Sequence, residues 1–242
     1  MALTAFAIII YVVNLKSIEA AFTSSSNQEL QSNRKSSQEK AFNPVNSRRI
    51  NTRLINAEHN ERDRTLREFL IAKQIYDGSM PIDISEIKTL KFKELTNLEL
   101  EILSYIPNLM ELDIEGTEVS SLDSLRGFTN LKHLNISRTP IDNLNALKET
   151  QLETLIMKDT EVSDFEVLST LKSLRFLDIS NNHIQNINSL KNLTKLIHLD
   201  ISNTLVADLG PVIANENLKK INYAGTKVIV DNENIELIMR TR

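Results

Sequence analysis

Apolar residues return along the second half of the chain at a constant step. Leu109, Leu131, Leu152, Leu174, Leu196 and Leu218 open successive stretches, with intervals of 22, 21, 22, 22 and 22 residues. A fixed period of this size marks a solenoid, in which each copy packs only on its neighbours. Within a copy, positions one, four and six are apolar, as in Leu109, Leu112 and Ile114, or Leu152, Leu155 and Met157. The alternation at four and six predicts a short strand with one buried face. Position nine is Thr117, Thr139, Thr160, Asn182, Thr204 and Thr226, a small polar residue placed to bond backbone where the chain leaves the strand. Position eleven is apolar again (Val119, Ile141, Val162, Ile184, Val206, Val228), and a looser set such as Leu122, Leu125 and Phe128 closes the coil. About seven apolar anchors per coil, each worth roughly 1.5–3 kcal/mol when buried, let stacking supply the core that one coil lacks.

This pattern resembles the 22-residue leucine-rich repeats of internalin-like and protein-phosphatase-regulator-like proteins. The resemblance covers Ile87 to about Val230. It includes an earlier copy from Ile87, with Leu90 and Phe92 in the strand and Leu95 at position nine. The expected fold is an α/β solenoid of seven repeats over 87–230, the first and last degenerate. It is a curved array with a parallel sheet on its concave face. Solenoid ends need a polar-faced cover, and helical spacing of Leu66, Phe69, Leu70 and Tyr76 predicts an N-terminal capping helix over Asn60–Asp77, within a segment 60–86. At the other end Val228, Ile229 and Val230 are expected to form a last strand, with Ile235–Met239 folded over it in a C-terminal cap, 231–242.

Ahead of the repeats the composition changes twice. Met1–Ala21 contains the apolar run Ala5–Val13 and ends in small residues, which reads as a secretory signal peptide too short for a lasting membrane anchor. Residues 22–59 are rich in Ser, Asn, Gln and basic side chains and hold too little apolar surface to order themselves. The charge is uneven. The whole chain carries −4, whereas residues 22–60 hold six Lys/Arg against three Asp/Glu and residues 1–21 balance, which leaves −7 for residues 61–242. An acidic body argues against nucleic acid as a partner. The chain has no cysteine, which excludes disulfide caps, thiolate zinc sites and thiol nucleophiles.

Two short stretches resemble the translocation elements of oomycete RxLR effectors. Arg64-Thr65-Leu66-Arg67 matches RxLR letter for letter, but only Glu68 follows it. Arg48-Arg49-Ile50-Asn51 is a degenerate copy followed, in the family's order, by the acidic element containing Glu58, Glu61 and Arg62. The same Arg64–Glu68 stretch fits the RxLxE export pentapeptide of malaria parasites, and it also fits the first turn of the amphipathic helix. The effector resemblance implies a secreted protein delivered into plant cells, with host cytoplasm or nucleus as destination, that disturbs defence or cell death. Two other readings stay open: an extracellular or cell-surface adhesion or receptor-binding protein, and an intracellular phosphatase-regulating scaffold.

No catalytic constellation emerges. His133 and His198 share one strand position three coils apart, roughly 14 Å at ~4.8 Å per strand, too far for one metal. Ser137, Ser180 and Ser202 lack a His and an acid spaced for a triad. No cofactor, metal or enzymatic activity is expected. Sequons occur at Asn135 and Asn192. The informative surface is the concave one, built from positions three, five, seven and eight. There Asp113, His133, Ile156, Phe176, Asp178, His198 and Asp200 are the expected contacts for a protein partner of a monomeric chain, because Ile156 and Phe176 are large apolar residues on an otherwise wet sheet.

Overall fold

The computed structural model describes residues 61–76, 78 and 83–229. The chain divides into two compact units between Ile82 and Asp83, and each is taken by itself.

In the first unit, helix α1 covers residues 61–72. Thr65, Leu66, Phe69 and Leu70 are buried, while Arg64 is exposed and pairs with Glu61 at 2.7 Å and Glu68 at 3.7 Å. The RTLR tetrapeptide is thus helical, with its leucine on the buried face. The helix ends earlier than Gly78: Gln74 takes a left-handed conformation, φ 58°, and Ile75 N–H donates back to Leu70 O at 3.0 Å. Residues 1–60, with the apolar leader, the arm, Arg48, Arg49, Ile50, Asn51 and Glu58, lie outside the described residues, as does 230–242 with the expected C-terminal cap.

The second unit is a leucine-rich repeat solenoid. Seven three-residue strands form one parallel sheet in sequence order: β1 Thr89–Lys91, β2 Glu111–Asp113, β3 His133–Asn135, β4 Thr154–Ile156, β5 Phe176–Asp178, β6 His198–Asp200 and β7 Lys220–Asn222. Equivalent positions pair without slip; His133, Thr154, Phe176 and His198 follow one another across β3–β6. In-register stacking puts one apolar side chain per coil at each core position. In coil three, Leu131, Leu134, Ile136, Ile141, Leu144 and Leu147 are all buried. Short 3-10 turns such as Asn145–Leu147 and Asn188–Leu190 form the return side.

Coil one differs. Leu95, buried at position nine, is followed by a true helix, α2, Asn97–Ile102. Thr96 and Glu99 form a capping box that satisfies the helix's first amides. The 3-10 turn Ile84–Glu86 belongs to the repeat unit, and Asn108 Nδ2 donates to Ser85 O at 2.9 Å. Coil six holds the four-residue helix α3, Gly210–Ile213, on its return side, with Pro211 where no helical N–H partner is needed. Val228 and Ile229 are not in a strand, contrary to expectation; β7 is the last one described, and Ile229 is exposed. A strand there would need a neighbour to pair with, and β7 pairs only β6 among the described residues.

Candidate functional site

Position four of each strand points into the core, so positions three and five make the concave face. Position five has a second duty. In five coils its side-chain oxygen accepts the N–H two residues on: Glu115 N to Asp113 at 3.1 Å, Ser137 N to Asn135 at 3.1 Å, Ser180 N to Asp178 at 3.1 Å, Ser202 N to Asp200 at 2.9 Å and Ala224 N to Asn222 at 3.2 Å. These are Asx turns, available to Asp and Asn because the short side chain reaches its own backbone. They start the reversal that position eight completes. Gly116, Arg138, Asp159, Asn181, Asn203 and Gly225 all have φ between 52° and 72°, a left-handed conformation that Gly, Asn and Asp adopt most readily. The acid-amide ladder and position eight are therefore parts of the turn as well as of the surface.

Position nine locks the same turn from inside. Thr117, Thr139, Thr204 and Thr226 each donate a hydroxyl to the carbonyl three residues back at 2.6–2.7 Å. Asn182 does more: its amide donates to Met157 O at 2.7 Å in coil four and to Ile179 O at 3.0 Å in its own coil, and its oxygen accepts from Thr160 N and Oγ1.

Among coils two to seven, coil four is the exception at position five; coil one has Lys91 there. Ile156 has no oxygen to offer, and the Lys158 N–H that would seek one donates instead to Ser137 Oγ of coil three at 3.2 Å. Ser137, buried, in turn donates to Asn135 at 2.8 Å. The backbone is satisfied, and an apolar side chain stands at a position that is polar in the neighbouring coils. Phe176 lies on the adjacent strand one position-pair away and is 39% exposed. Its ring meets His198 edge-on, centroids 4.7 Å apart at 84°, an arrangement favoured by aromatic quadrupoles. Together with Thr154, Asp200 and Lys220 these residues line one open depression of ≈ 460 Å³.

The charges divide unevenly around it. Lys91 reaches Asp113, and that carboxylate, by hydrogen bond and by charge, holds the Lys91 ammonium above the usual lysine range. Arg138 pairs with Glu115 at 2.6 Å and Lys158 with Asp178 at 3.1 Å. Asp200 accepts from Asn222 Nδ2 at 2.8 Å and from Ser202 Oγ at 2.6 Å.

Of the expected contacts, Ile156, Phe176, Asp178, His198 and Asp200 therefore share one depression. His133 and Asp113 do not line it: His133 pairs with Thr154 from the adjacent strand β3, and Asp113 lies a further strand away on β2. His133 and His198 are separated by β4 and β5, and no group of three or more metal-ligating side chains converges among the described residues. Ser180 and Ser202 spend their hydroxyls on Asp178 and Asp200 of their own turns. At the sequons, the Asn135 amide nitrogen donates to Glu115 at 3.2 Å, while Asn192 is exposed in the turn after the 3-10 segment of coil five. No described helix is long and apolar enough to cross a membrane. Sequence reasoning missed Lys158, Ser137 and Asn182 as supports of the site. The missing Asx at position five and the Asn at position nine were the available clues.

Repeat period, sheet and turn chemistry together define a leucine-rich repeat protein with a curved solenoid body. A family model for the leucine-rich repeat domain of the endo-beta-N-acetylglucosaminidase EndoS matches residues 108–204. Two internalins of Listeria monocytogenes str. 4b F2365 have similar structures. Internalin inlF is 21% identical, with TM-score 0.52 over 57% of this chain and 41% of its own. Internalin C2 (inlC2) is 22% identical, with TM-score 0.51 over 64% of this chain and 78% of its own. At such identities the likeness is one of fold, and the chain spans about two-fifths of internalin inlF. No curated protein sequence matches it.

Proposed function

We propose that the chain is a protein-binding module without chemistry of its own, and that its partner is anchored on Phe176, Ile156 and His198. The observation that carries this is Ile156. The turn chemistry of coil four favours Asx at that position, yet an isoleucine stands there beside an exposed phenylalanine, with a neighbouring serine supplying the lost hydrogen bond. Large side chains ringed by polar groups are the usual anchors of protein interfaces. An open sheet also suits a macromolecular surface better than a small molecule needing enclosure. A photo-crosslinking side chain at Thr154 should label the partner, and one at Lys148 on the return side should not. Phe176→Ala should weaken binding by more than ~2 kcal/mol with an unchanged melting curve. Unaltered affinity in both Phe176→Ala and Ile156→Ala would move the working surface elsewhere.

We further propose that the module is secreted and delivered into host cells as an effector. This rests on the sequence of residues 1–62: an apolar leader, a basic arm, and the Arg48–Asn51 and Glu58–Arg62 elements in the order found in that family. N-terminal sequencing of secreted material should return a chain starting near Ala21 or Phe22; an intact Met1 would refute the leader. Replacing Arg48 and Arg49 by Ala should reduce uptake and leave the melt unchanged. Leu66→Ala should lower stability by about 2–5 kcal/mol, since Leu66 is fully buried on α1; lost uptake with an unaltered melt would instead make RTLR the translocation element.

A further inference from the structure

In a parallel, in-register sheet every chain segment that leads into a strand lies on the same edge, here called the leading edge. In coils five to seven that edge is strongly cationic. Residues 169–175, 191–197 and 213–220 carry Lys172, Arg175, Lys191, Lys195, Lys219 and Lys220 against one carboxylate, Glu216. All six are exposed, and none has an ion-pair partner among the described residues. Elsewhere on the sheet Lys91, Arg138 and Lys158 are each neutralised by a carboxylate. In a chain of net charge −4, six exposed cations without an ion-pair partner among the described residues therefore gather on one edge of three coils. Arg175 and Lys195, with Ser173, Ile197 and Asn217 and the facing Glu153, line a second depression of ≈ 370 Å³. Its residues Arg175 and Ile197 directly precede Phe176 and His198, so the cationic edge and the apolar depression are continuous along β5 and β6.

We propose that the partner of the concave face is a polypeptide with an acidic segment. Its apolar side chain fills the depression between Ile156, Phe176 and His198, and its carboxylates lie along the leading edge on Arg175, Lys195, Lys219 and Lys220. This rests on the reading of the concave face as a protein-binding surface and adds the partner's chemistry to it. Charge complementarity decides the choice of occupant: exposed cations left unpaired cost little in water, and they steer and orient a partner of opposite sign. The adjoining apolar depression favours a polypeptide, which joins carboxylates to aliphatic side chains, over a phosphate backbone.

The test is fluorescence anisotropy with the full chain and three labelled probes: a peptide with a run of glutamates followed by leucine, the same peptide with glutamines, and a single-stranded DNA of similar length. The glutamate peptide should bind about tenfold more tightly than the glutamine one, and the difference should vanish at high salt. The double charge reversal Arg175→Glu with Lys219→Glu should erase the preference and leave the glutamine peptide's affinity unchanged; Phe176→Ala should weaken both peptides alike. Equal binding of the two peptides, or binding of neither, overturns the proposal, and so does tighter binding of the DNA. Salt-dependent dimers in sedimentation that the charge reversal abolishes would also overturn it, by making the acidic turns of a second copy (Glu115, Glu118, Asp159, Glu161) the occupant. Peptide binding that is indifferent to Phe176→Ala would instead overturn the concave-face reading itself.

Discussion

Coil six and coil four have the same outline and reach it by different routes. Coil six is self-sufficient: Asp200 closes its own Asx turn on Ser202, and Thr204 donates to Ile201 O within the coil. Coil four draws both bonds from its neighbours. Ser137 of coil three takes the Lys158 amide, and Asn182 of coil five takes Met157 O and holds Thr160. The backbone closes in both, because buried polar groups must find partners wherever these can be found. The lesson is that a repeat can release one position from structural duty if adjacent copies carry the missing bonds, and the released position, Ile156, borders the exposed Phe176.

This contrast can be broken at several points. The largest effect is expected at Asn182→Ala, which removes donors to two coils and leaves buried carbonyls unpaired; it should destabilise by about 3 kcal/mol, against roughly 1 kcal/mol for Thr204→Val in the self-sufficient coil. Urea unfolding at a common m-value measures both, and similar losses would deny any special dependence of coil four on coil five. Ser137→Ala should follow at about 1–2 kcal/mol, because Lys158 N–H then has no acceptor. Ser202→Ala, whose hydroxyl bonds only Asp200, should lose less than about half of that.

Ile156→Asn sharpens the comparison in the opposite sense. It returns an Asx acceptor to coil four, so stability should hold or rise by a few tenths of a kcal/mol, while partner affinity falls. Combined with Ser137→Ala it should cancel most of that variant's loss, a coupling that a double-mutant cycle reads directly. An Ile156→Asn variant that binds as tightly as wild type would separate the turn chemistry from the function.

The smallest effects are those of pH. Asp123, held below the usual carboxylate range by hydrogen bonds from Arg126 and Ser121, adds stability that is complete above its unfolded-state pKa and lost as pH falls through the folded one. Lys91, raised by Asp113, adds stability that is complete below its unfolded-state pKa and lost as pH rises through the folded one. Both windows lie outside about pH 5–9, so Lys91→Met and Asp123→Asn should each shift the melting temperature by the same amount at about pH 6 and about pH 8.

The sequence by itself determined the period, the seven strands, their register and the buried face of each. These follow from apolar residues at fixed positions, and a one-residue slip would turn every one of them to solvent. It also showed Phe176 and Ile156 as misfits, and α1 through the helical spacing of Leu66, Phe69 and Leu70. The termini of elements were less legible: α1 stops at residue 72 because Gln74 turns left-handed, and Val228 and Ile229 form no strand. Only the tertiary structure decided which side chain completes whose turn. Asp113, Asp178 and Asp200 read as surface contacts until their oxygens are seen on their own backbone, and Ser137 and Asn182 look like ordinary repeat residues until they are seen serving coil four. Such bonds join residues about one period apart, 21 positions for Ser137 and Lys158 and 25 for Asn182 and Met157. Stacking brings them within 3.2 Å or less, and no local pattern encodes that proximity.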